Sequence, residues 1–268
     1  MGLTVNSGAV SSAGHFDPVG QPADSPEPTL GDAFGNILVR CHAAGAASWS
    51  AVEIAERDDG LLSADDAARY FTGPERWPST ERRACEAARG RVLDVGCGAG
   101  RHALAMQAAG LEVTGLEPSH GAAVVSRARG VPVAEGTLRK PPDQLRGMFD
   151  TLLLAGTLGL LATPEDAPEV LAAAASLARP GAQLLGCSLD PYVTDRDEHL
   201  RYQRRNRERG LYPGQVRLRV RDGAIATPFF NFLFFSADEL RRLVEGTAWR
   251  LESYDVEGAR CLARLLLR

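Results

Sequence analysis

Residues 91–101 read Arg91-Val92-Leu93-Asp94-Val95-Gly96-Cys97-Gly98-Ala99-Gly100-Arg101, an apolar run followed by alternating glycines. The run has the character of a buried strand, and the Ala- and Leu-rich stretch after it has the character of a helix. Glycine lets the backbone adopt dihedral angles that other residues avoid, and it lets the chain approach a bulky ligand closely. The segment therefore predicts a strand, a ligand-binding turn and a helix in succession.

The spacing of this turn is informative about its ligand. The glycines follow the pattern G-x-G-x-G, and Asp94 stands two residues before the first of them. A turn that binds a dinucleotide prefers G-x-G-x-x-G and places a pyrophosphate at the helix N-terminus, where an acid such as Asp94 would repel it. The acid suits instead a ligand that carries an ammonium group.

Strand-like and helix-like segments alternate after the turn. The predicted strands are 91–95, 111–116, 131–134, 149–155 and 183–188, and the predicted helices between them are 99–109, 121–129 and 165–178. This alternation predicts an α/β fold with a parallel, doubly wound sheet. Further on, the pattern predicts a polar helix over 196–209, a hairpin of 215–221 with 229–235, a capped helix over 236–245, and closing strands over 249–256 and 261–267.

Two further signals lie at the ends of predicted strands. Glu117 ends the second strand, 23 residues after Asp94, where a carboxylate can accept two hydrogen bonds from a ribose diol. The strand over 149–155 leads into Gly156-Thr157. Ligands of open α/β sheets bind at the carboxyl ends of the strands, so we expect these residues to meet at one site.

These motifs resemble those of the class I S-adenosylmethionine-dependent methyltransferases, of the bacterial, small-molecule type. Residues 91–101 are similar to the family's glycine-rich motif, Glu117 to its ribose-binding acid, and 149–157 to its fourth motif. The resemblance covers about residues 70–190 and, more loosely, the last two strands. It implies a Rossmann-like doubly wound sheet, mostly parallel with an antiparallel last strand, and S-adenosyl-L-methionine as the cofactor.

The resemblance also implies the residues of the cofactor site. Thr137 occupies the place where the family often carries an acid for the adenine amino group, so its hydroxyl or the backbone would serve instead. Tyr70 lies in a region where an aromatic often walls the cofactor pocket, although it could equally pack in the core of a cap. The predicted cofactor-binding residues are Tyr70, Asp94, Gly96, Cys97, Gly98, Gly100, Arg101, Glu117, Pro118, Gly136, Thr137, Leu138, Ala155, Gly156 and Thr157.

The rest of the chain divides by composition. Residues 1–30 are rich in Gly, Ser, Pro and Ala, which predicts a flexible tail. Residues 31–90 are predicted to form an N-terminal helical cap. Residues 91–268 are predicted to form the methyltransferase domain, with 191–235 inserted as a flap and hairpin. We expect the cap and the insertion to build the acceptor pocket together.

A general base could come from the segment that follows the strand over 183–188. Tyr192, His199 and Tyr202 lie just beyond that strand, and they are the candidate catalytic residues, although solvated helix faces usually look the same. The polar segment 191–213 is bounded by prolines, so it predicts a movable flap over the transferred methyl group. His102 is expected at the surface.

The composition of the chain limits the classes of binding partner and the cellular compartment that we expect. The net charge is −4, and the arginines of 196–209 are mixed with acids as in an exposed helix, so a nucleic acid is not the expected partner. The five cysteines form no C-x-x-C pair, which argues against a disulfide framework or a zinc site and favours a reducing cytoplasm. No apolar run is long enough to span a bilayer, no metal is expected, and a homodimer is left open.

Together these features predict transfer of a methyl group from S-adenosylmethionine to an oxygen or nitrogen of a small molecule, with specialised metabolism as the context. The alternatives are a cofactor-binding module without turnover, methylation of RNA or protein, and a nicotinamide oxidoreductase. The spacing of the glycine turn disfavours the last. In the family that the chain resembles, methylation of an exocyclic base nitrogen typically goes with an N-P-P-[YF] tetrapeptide in the fourth motif, and this chain lacks it, so the resemblance argues against that activity.

Overall fold

The computed structural model describes residues 27–268, and its larger sheet has seven strands. These strands are β4 (Arg91–Val95), β5 (Glu112–Glu117), β6 (Val133–Glu135), β7 (Phe149–Leu154), β8 (Ala178–Leu189), β12 (Trp249–Glu257) and β13 (Arg260–Leu267). They lie in the order β12-β13-β8-β7-β4-β5-β6. Strands β4 to β8 pair in parallel, whereas β13 is antiparallel to both of its neighbours. The predicted Rossmann-like fold, mostly parallel with an antiparallel last strand, is confirmed.

Helices cover both faces of this sheet. They are α2 (Ser79–Ala87), α3 (Arg101–Ala108), α4 (His120–Ala128), α5 (Ala167–Leu177) and α7 (Ala237–Val244). Side chains alternate across a strand, so Val92 packs with α2 and α3 while its neighbour Leu93 packs in the core formed with α5 and α7. The predicted capping box begins α7, where Ser236 and Glu239 satisfy each other's backbone N–H groups.

The smaller sheet, which we call the cap sheet, combines strands from distant parts of the chain. Its members are β1 (Thr29–Leu30), β2 (Val52–Arg57), β3 (Leu62–Asp66), β9 (Gln215–Asp222), β10 (Ile225–Ala226) and β11 (Phe230–Leu233). The order is β1-β10-β9-β2-β3, and β11 also pairs with β9. Helices α1 (Ala33–Ala43) and α6 (Asp197–Glu208) accompany it. The N-terminal cap and the later insertion are therefore joined by the hydrogen bonds between β2 and β9.

The prediction of a flexible tail over residues 1–30 is wrong at its C-terminal end, and its first 26 residues lie outside the described part of the chain. Thr29–Leu30 forms β1 in parallel with β10. Thr29 N–H donates to the Ala224 carbonyl at 2.9 Å, and Gly31 N–H donates to the Ala226 carbonyl at 2.9 Å. This pairing depends on a strand almost two hundred residues away, so local composition could not reveal it.

Within residues 27–268, the helices are too short or too polar to cross a lipid bilayer.

Candidate active site

The carboxyl ends of the parallel strands bring the predicted cofactor motifs together. The glycine turn follows β4, Glu117 ends β5, and Gly156-Thr157 follows β7. The Thr157 hydroxyl donates to the Val95 carbonyl at 2.8 Å, which ties the turn after β7 to the end of β4. The expected convergence at one edge of the sheet is observed.

The glycine turn has a backbone that only glycine adopts easily. Gly96, Gly98 and Gly100 have φ angles of +70°, +54° and +78°. A Cβ on Gly100 would also lie 2.5 Å from the Ser126 hydroxyl and 2.9 Å from a methyl group of Val131. The turn therefore packs its last glycine against α4, while Gly98 faces the cap.

Glu117 is a buried carboxylate that holds this turn in place. One of its oxygens, Oε2, accepts the backbone N–H of Gly98 at 2.9 Å, and Oε1 accepts the N–H of Ser119 at 3.0 Å. Burial raises the pKa of Glu117 to about 7, with the charges of Asp32 and Asp94 adding to the rise and the two N–H donors opposing it. Each oxygen keeps a lone pair for a further donor.

Asp94 is fully enclosed, with 1% of its surface exposed. Its Oδ2 has no hydrogen-bond partner among the described residues, and burial raises the pKa of this carboxyl. The nearby His102, Ala103 N–H and Arg101 offset part of that effect. An unpaired buried carboxylate oxygen is costly, so a cationic or hydrogen-bonding ligand would stabilise it.

His102 is buried, and the prediction that it lies at the surface is wrong. Its Nε2 lies 2.9 Å from Glu81 Oε2, and its ring meets Trp77 edge-on at 4.6 Å between centroids. Arg101 binds the same Glu81 oxygen at 2.7 Å and lies over the Trp77 ring. The His102 ring and the Arg101 guanidinium are thus held by α2 and the residues before it. Glu81 lies twenty residues upstream, and no local signal in the sequence connects it to the glycine turn.

The cap lies directly over the glycine turn. A Cβ on Gly98 would be 3.7 Å from the Phe34 ring and 3.8 Å from the Tyr70 ring. The two rings meet edge-on at 5.2 Å between centroids. Tyr70 therefore lies beside the turn, and its part in the cofactor pocket stays a prediction. Phe34 is a second aromatic residue there that sequence reasoning missed.

The side chain of Asp32 links the start of α1 to the residues after β5 by hydrogen bonds. It caps α1 by accepting the Gly35 N–H at 3.0 Å, and it also accepts the Ser119 hydroxyl at 2.7 Å and the Gly121 N–H at 2.8 Å. The backbones of α1 and α4 approach so closely that a Cβ on Gly121 would overlap Gly35. Asp32 was not predicted, because its contacts join segments almost ninety residues apart.

The other predicted cofactor residues occupy different environments. Pro118, Thr137 and Gly156 are exposed, Ala155 is buried, and Gly136 is half-buried. The side chain of Leu138 lies in the main hydrophobic core, so only its backbone is available to a ligand. Cys97 is buried beside Ser126, and burial together with Asp94 and Glu117 raises the pKa of its thiol, as expected of a packing residue.

The three candidate catalytic residues are separated and already have partners. The Tyr192 hydroxyl donates to Glu239 at 2.6 Å, and the Tyr202 hydroxyl donates to Asp58 at 2.7 Å. Tyr202 is buried beneath the Arg57 guanidinium, 4.1 Å from the ring centroid. His199 is half-buried, and burial together with Arg196 and Arg57 lowers its pKa. The structure does not bring these three side chains into one cluster, and their catalytic role stays a prediction.

Helix α6 makes hydrogen bonds to the segments that come before and after it in the chain. Gln203 donates to the Pro191 carbonyl at 2.5 Å, and Asn206 donates to the carbonyls of Tyr212, Pro213 and Gln215. Arg196 pairs with Glu198, and Arg205 lies over the Tyr202 ring. These contacts join α6 to the start of β9 and so to the cap sheet.

Comparisons with known proteins place this geometry in a family. A model of the methyltransferase domain matches residues 73–254. The comparison with curated proteins found no match. A methyltransferase from Bacteroides fragilis, solved as an S-adenosylmethionine-dependent enzyme in complex with S-adenosylhomocysteine, has a TM-score of 0.74 at 23% identity, over 91% of this chain and 98% of its own.

Two further solved structures share the fold at lower similarity. An S-adenosylmethionine-dependent methyltransferase from Methanosarcina mazei has a TM-score of 0.52 at 17% identity, over 66% of this chain and 90% of its own. The CcbJ methyltransferase from Streptomyces caelestis has a TM-score of 0.52 at 18% identity, over 72% of this chain and 94% of its own. The family model spans more than half of the chain and the site motifs agree with it, so the chain belongs to the methyltransferase-domain family, the class I S-adenosylmethionine-dependent methyltransferases that its sequence resembles.

Proposed function

We propose that this protein is an enzyme that transfers a methyl group from S-adenosylmethionine to an oxygen or nitrogen of a small molecule. The observation that carries the proposal is the enclosure of the glycine turn by the cap, with Phe34 and Tyr70 packed beside Gly98. A methyl donor and its acceptor must meet away from water, and a cap over the carboxyl edge of the sheet provides that seclusion.

The residues at this edge fit the cofactor. The unpaired Oδ2 of Asp94 can be offset by the ammonium group of the methionine part. The remaining lone pairs of Glu117 can accept the ribose hydroxyls, and Tyr70 and Phe34 can wall the bound molecule. When bound, S-adenosylmethionine supplies an electrophilic methyl group on its sulfonium sulfur.

We further propose that residues 27–90 and 191–235 act together as the acceptor-binding cap. The pairing of β2 with β9 and the bonds of α6 to Tyr212, Pro213 and Gln215 support this division. In this arrangement Tyr202 orients Arg57 and Asp58 within the cap, and it acts as a positioning residue. Any flap motion of 191–213 would then involve the cap sheet as well.

The first test is direct. Calorimetry on the purified chain is expected to show binding of S-adenosylhomocysteine and no binding of NAD, because an acid precedes the G-x-G-x-G turn. Incubation with methyl-labelled S-adenosylmethionine and an extract of small molecules is expected to label a compound of low mass. Binding of NAD in place of S-adenosylhomocysteine would contradict the assignment. Binding without turnover on any extract would favour a cofactor-binding module.

The buried Glu117 predicts a pH dependence of cofactor binding. Its pKa is raised to about 7, and only the ionised form can accept both ribose hydroxyls, so affinity should rise as pH rises through this value. The expected change in the Kd of S-adenosylhomocysteine between pH 6 and pH 8 is about tenfold. The same shift lowers the stability of the free protein as pH rises from the ordinary pKa of a glutamate towards 7, because the folded state holds the proton more tightly.

The matched variant for this experiment is Glu117→Gln, which removes the titration and keeps the shape. Its Kd should be nearly flat over the same pH range. Asp94 also has a raised pKa, so a dependence that survives in Glu117→Gln would assign the titration to Asp94 instead.

A further inference from the structure

One face of the cap sheet is directed at the carboxyl edge of the large sheet. In the β2–β9 ladder Ala55 lies opposite Val220, so these two residues share a face, and Glu53 shares it because it lies two residues before Ala55. On β11, Phe230 and Phe232 lie opposite Leu218 and Val216, which extends the same face. We call this surface the inner face of the cap sheet. It is defined by Glu53, Ala55, Arg57, Val216, Leu218, Val220, Phe230 and Phe232.

The inner face spans the space over the cofactor motifs. At one end Glu53 binds Tyr70, whose ring packs beside Gly98. At the other end Phe232 packs so closely on Gly159, just after β7, that a Cβ there would overlap the ring. Helix α1 packs on the part of this face around Val220. The remaining part combines apolar side chains with the Glu53 carboxylate near the glycine turn, and in the proposed enzyme it would face the transferred methyl group. Apolar walls with a few polar groups are typical of small-molecule sites.

One carboxylate oxygen of Glu53 already accepts hydrogen bonds, and the other is free to accept one from a ligand. Its Oε2 accepts the Tyr70 hydroxyl at 2.8 Å and the Arg69 guanidinium at 2.6 Å. Its Oε1 accepts no hydrogen bond from the residues that the structure describes, yet it is not one of the fully enclosed unpaired atoms found there. The residue as a whole is 7% exposed, so this oxygen opens into a narrow space.

Arg57 is the nearest cation on the same strand, and its hydrogen bonds within the protein leave it less available to a ligand than Glu53. Arg57 makes two hydrogen bonds to Asp59, at 2.7 and 2.8 Å, and a third to the Glu198 carbonyl at 3.1 Å. Its guanidinium also lies over the Tyr202 ring. The open polar atom of the inner face is thus a hydrogen-bond acceptor with negative charge, which suits an N–H donor with positive charge.

We propose that Glu53 is the acceptor-binding carboxylate of this enzyme and that the methyl acceptor is an amine with an apolar body. This inference rests on the proposed function. The Oε1 atom of Glu53 holds the ammonium group of the acceptor and takes one proton from its nitrogen, which leaves a lone pair on that nitrogen. The new N–C bond then forms as the S–C bond of the donor breaks with its electron pair going to sulfur, and the proton on Glu53 passes to solvent.

The test measures binding of probe compounds to the protein saturated with S-adenosylhomocysteine. The probes are matched amines, carboxylates and alcohols built on phenylethyl, cyclohexylethyl and indolylethyl bodies, and the readout is the shift in melting temperature followed by calorimetry. Amines are expected to bind in preference to their carboxylate and alcohol counterparts. Glu53→Gln is expected to weaken amine binding by about tenfold or more, since it removes a charged hydrogen bond.

The matched control is Glu56→Gln, a buried glutamate of the same strand on the opposite face. Glu56 makes a two-point ion pair with Arg219, at 2.8 and 3.0 Å, and does not reach the inner face. This variant should keep the preference for amines. If Glu53→Gln fails to fold, Glu53→Asp keeps the charge and withdraws it by one methylene group, and it should also weaken amine binding.

Three results would overturn the proposal: a preference for carboxylates or alcohols, no preference among the probes, or an amine preference that survives in Glu53→Gln and Glu53→Asp. A role for Glu53 limited to holding Tyr70 would instead lower the affinity for S-adenosylhomocysteine and leave the amine preference intact. Failure of the wild-type chain to bind S-adenosylhomocysteine at all would contradict the proposed function itself. A failure of the proposed function can therefore be distinguished from a failure of the proposed role of Glu53.

Discussion

Replacing Glu117 by alanine is expected to weaken the binding of S-adenosylhomocysteine by about 100-fold or more. A charged hydrogen bond contributes about 1.5 to 3 kcal/mol, and the proposed contact with the ribose would lose two of them. The loss should be larger still because Glu117 also fixes the glycine turn through the Gly98 N–H. The measurement is calorimetry at pH 8, where the carboxylate is ionised.

Two further variants separate the ligand contact from the support of the turn. Glu117→Gln keeps one oxygen for a backbone N–H and should lose less affinity than the alanine variant. Glu112→Ala changes the other end of the same strand, where the side chain is exposed and pairs with Arg91, and it should bind as the wild type does. An unchanged Kd in a folded Glu117→Ala protein would remove this residue from the cofactor site.

The cofactor half of the site could be predicted because its signals are local. A strand, a glycine turn and a helix are adjacent in the chain, and the acid at the end of the next strand lies at a fixed distance in sequence. The carboxyl ends of parallel strands must share one edge, so Glu117 and Gly98 meet without further information. Periodicity placed most of these strands and helices to within about two residues at their ends, but β8 begins at Ala178, five residues before the predicted start.

The cap could be predicted only in pieces. The hairpin of 215–221 with 229–235 was expected and occurs, whereas residues 31–90 were predicted as a helical cap and also contribute the strands β2 and β3. Their union in one sheet depends on pairing between β2 and β9, which lie about 160 residues apart, and no periodicity reports such a contact. For the same reason the sequence indicated neither the inner face of the cap sheet nor the buried position of His102, whose partner Glu81 belongs to another helix.

The role proposed for Glu53 would let the cap set acceptor specificity on a cofactor fold that many methyltransferases share. In the proposed site the large sheet would contribute Asp94 and Glu117 to the cofactor, and both residues lie near the carboxyl ends of its strands. Glu53 belongs to the cap sheet and reaches the glycine turn only through Tyr70. Changes on β2, β9 or β11 could therefore alter the acceptor while the cofactor contacts stay the same.

Trp249→Ala is expected to reduce the free energy of unfolding by about 3 to 5 kcal/mol, the usual cost of truncating a large buried aromatic residue. Trp249 begins β12, is completely buried in the main hydrophobic core, and donates its indole N–H to the Leu171 carbonyl of α5 at 2.9 Å. Truncation would leave a cavity and remove the indole's hydrogen bond to a carbonyl that lies within α5. Urea unfolding measures the change. Trp49→Ala is the control, since that tryptophan is 63% exposed and a surface substitution usually changes stability by about 0.5 kcal/mol or less.

The location of Trp249 adds a second expectation. It pairs with Leu267, the last residue of β13, and β13 is antiparallel to β8, so Trp249 lies at the amino edge of the sheet, opposite the cofactor motifs. Under conditions where Trp249→Ala is still folded, its Kd for S-adenosylhomocysteine should therefore match that of the wild type. A variant that kept its stability would contradict the central place of this residue in the core. A variant that stayed folded but lost cofactor affinity would show that packing at the amino edge controls the geometry of the carboxyl edge.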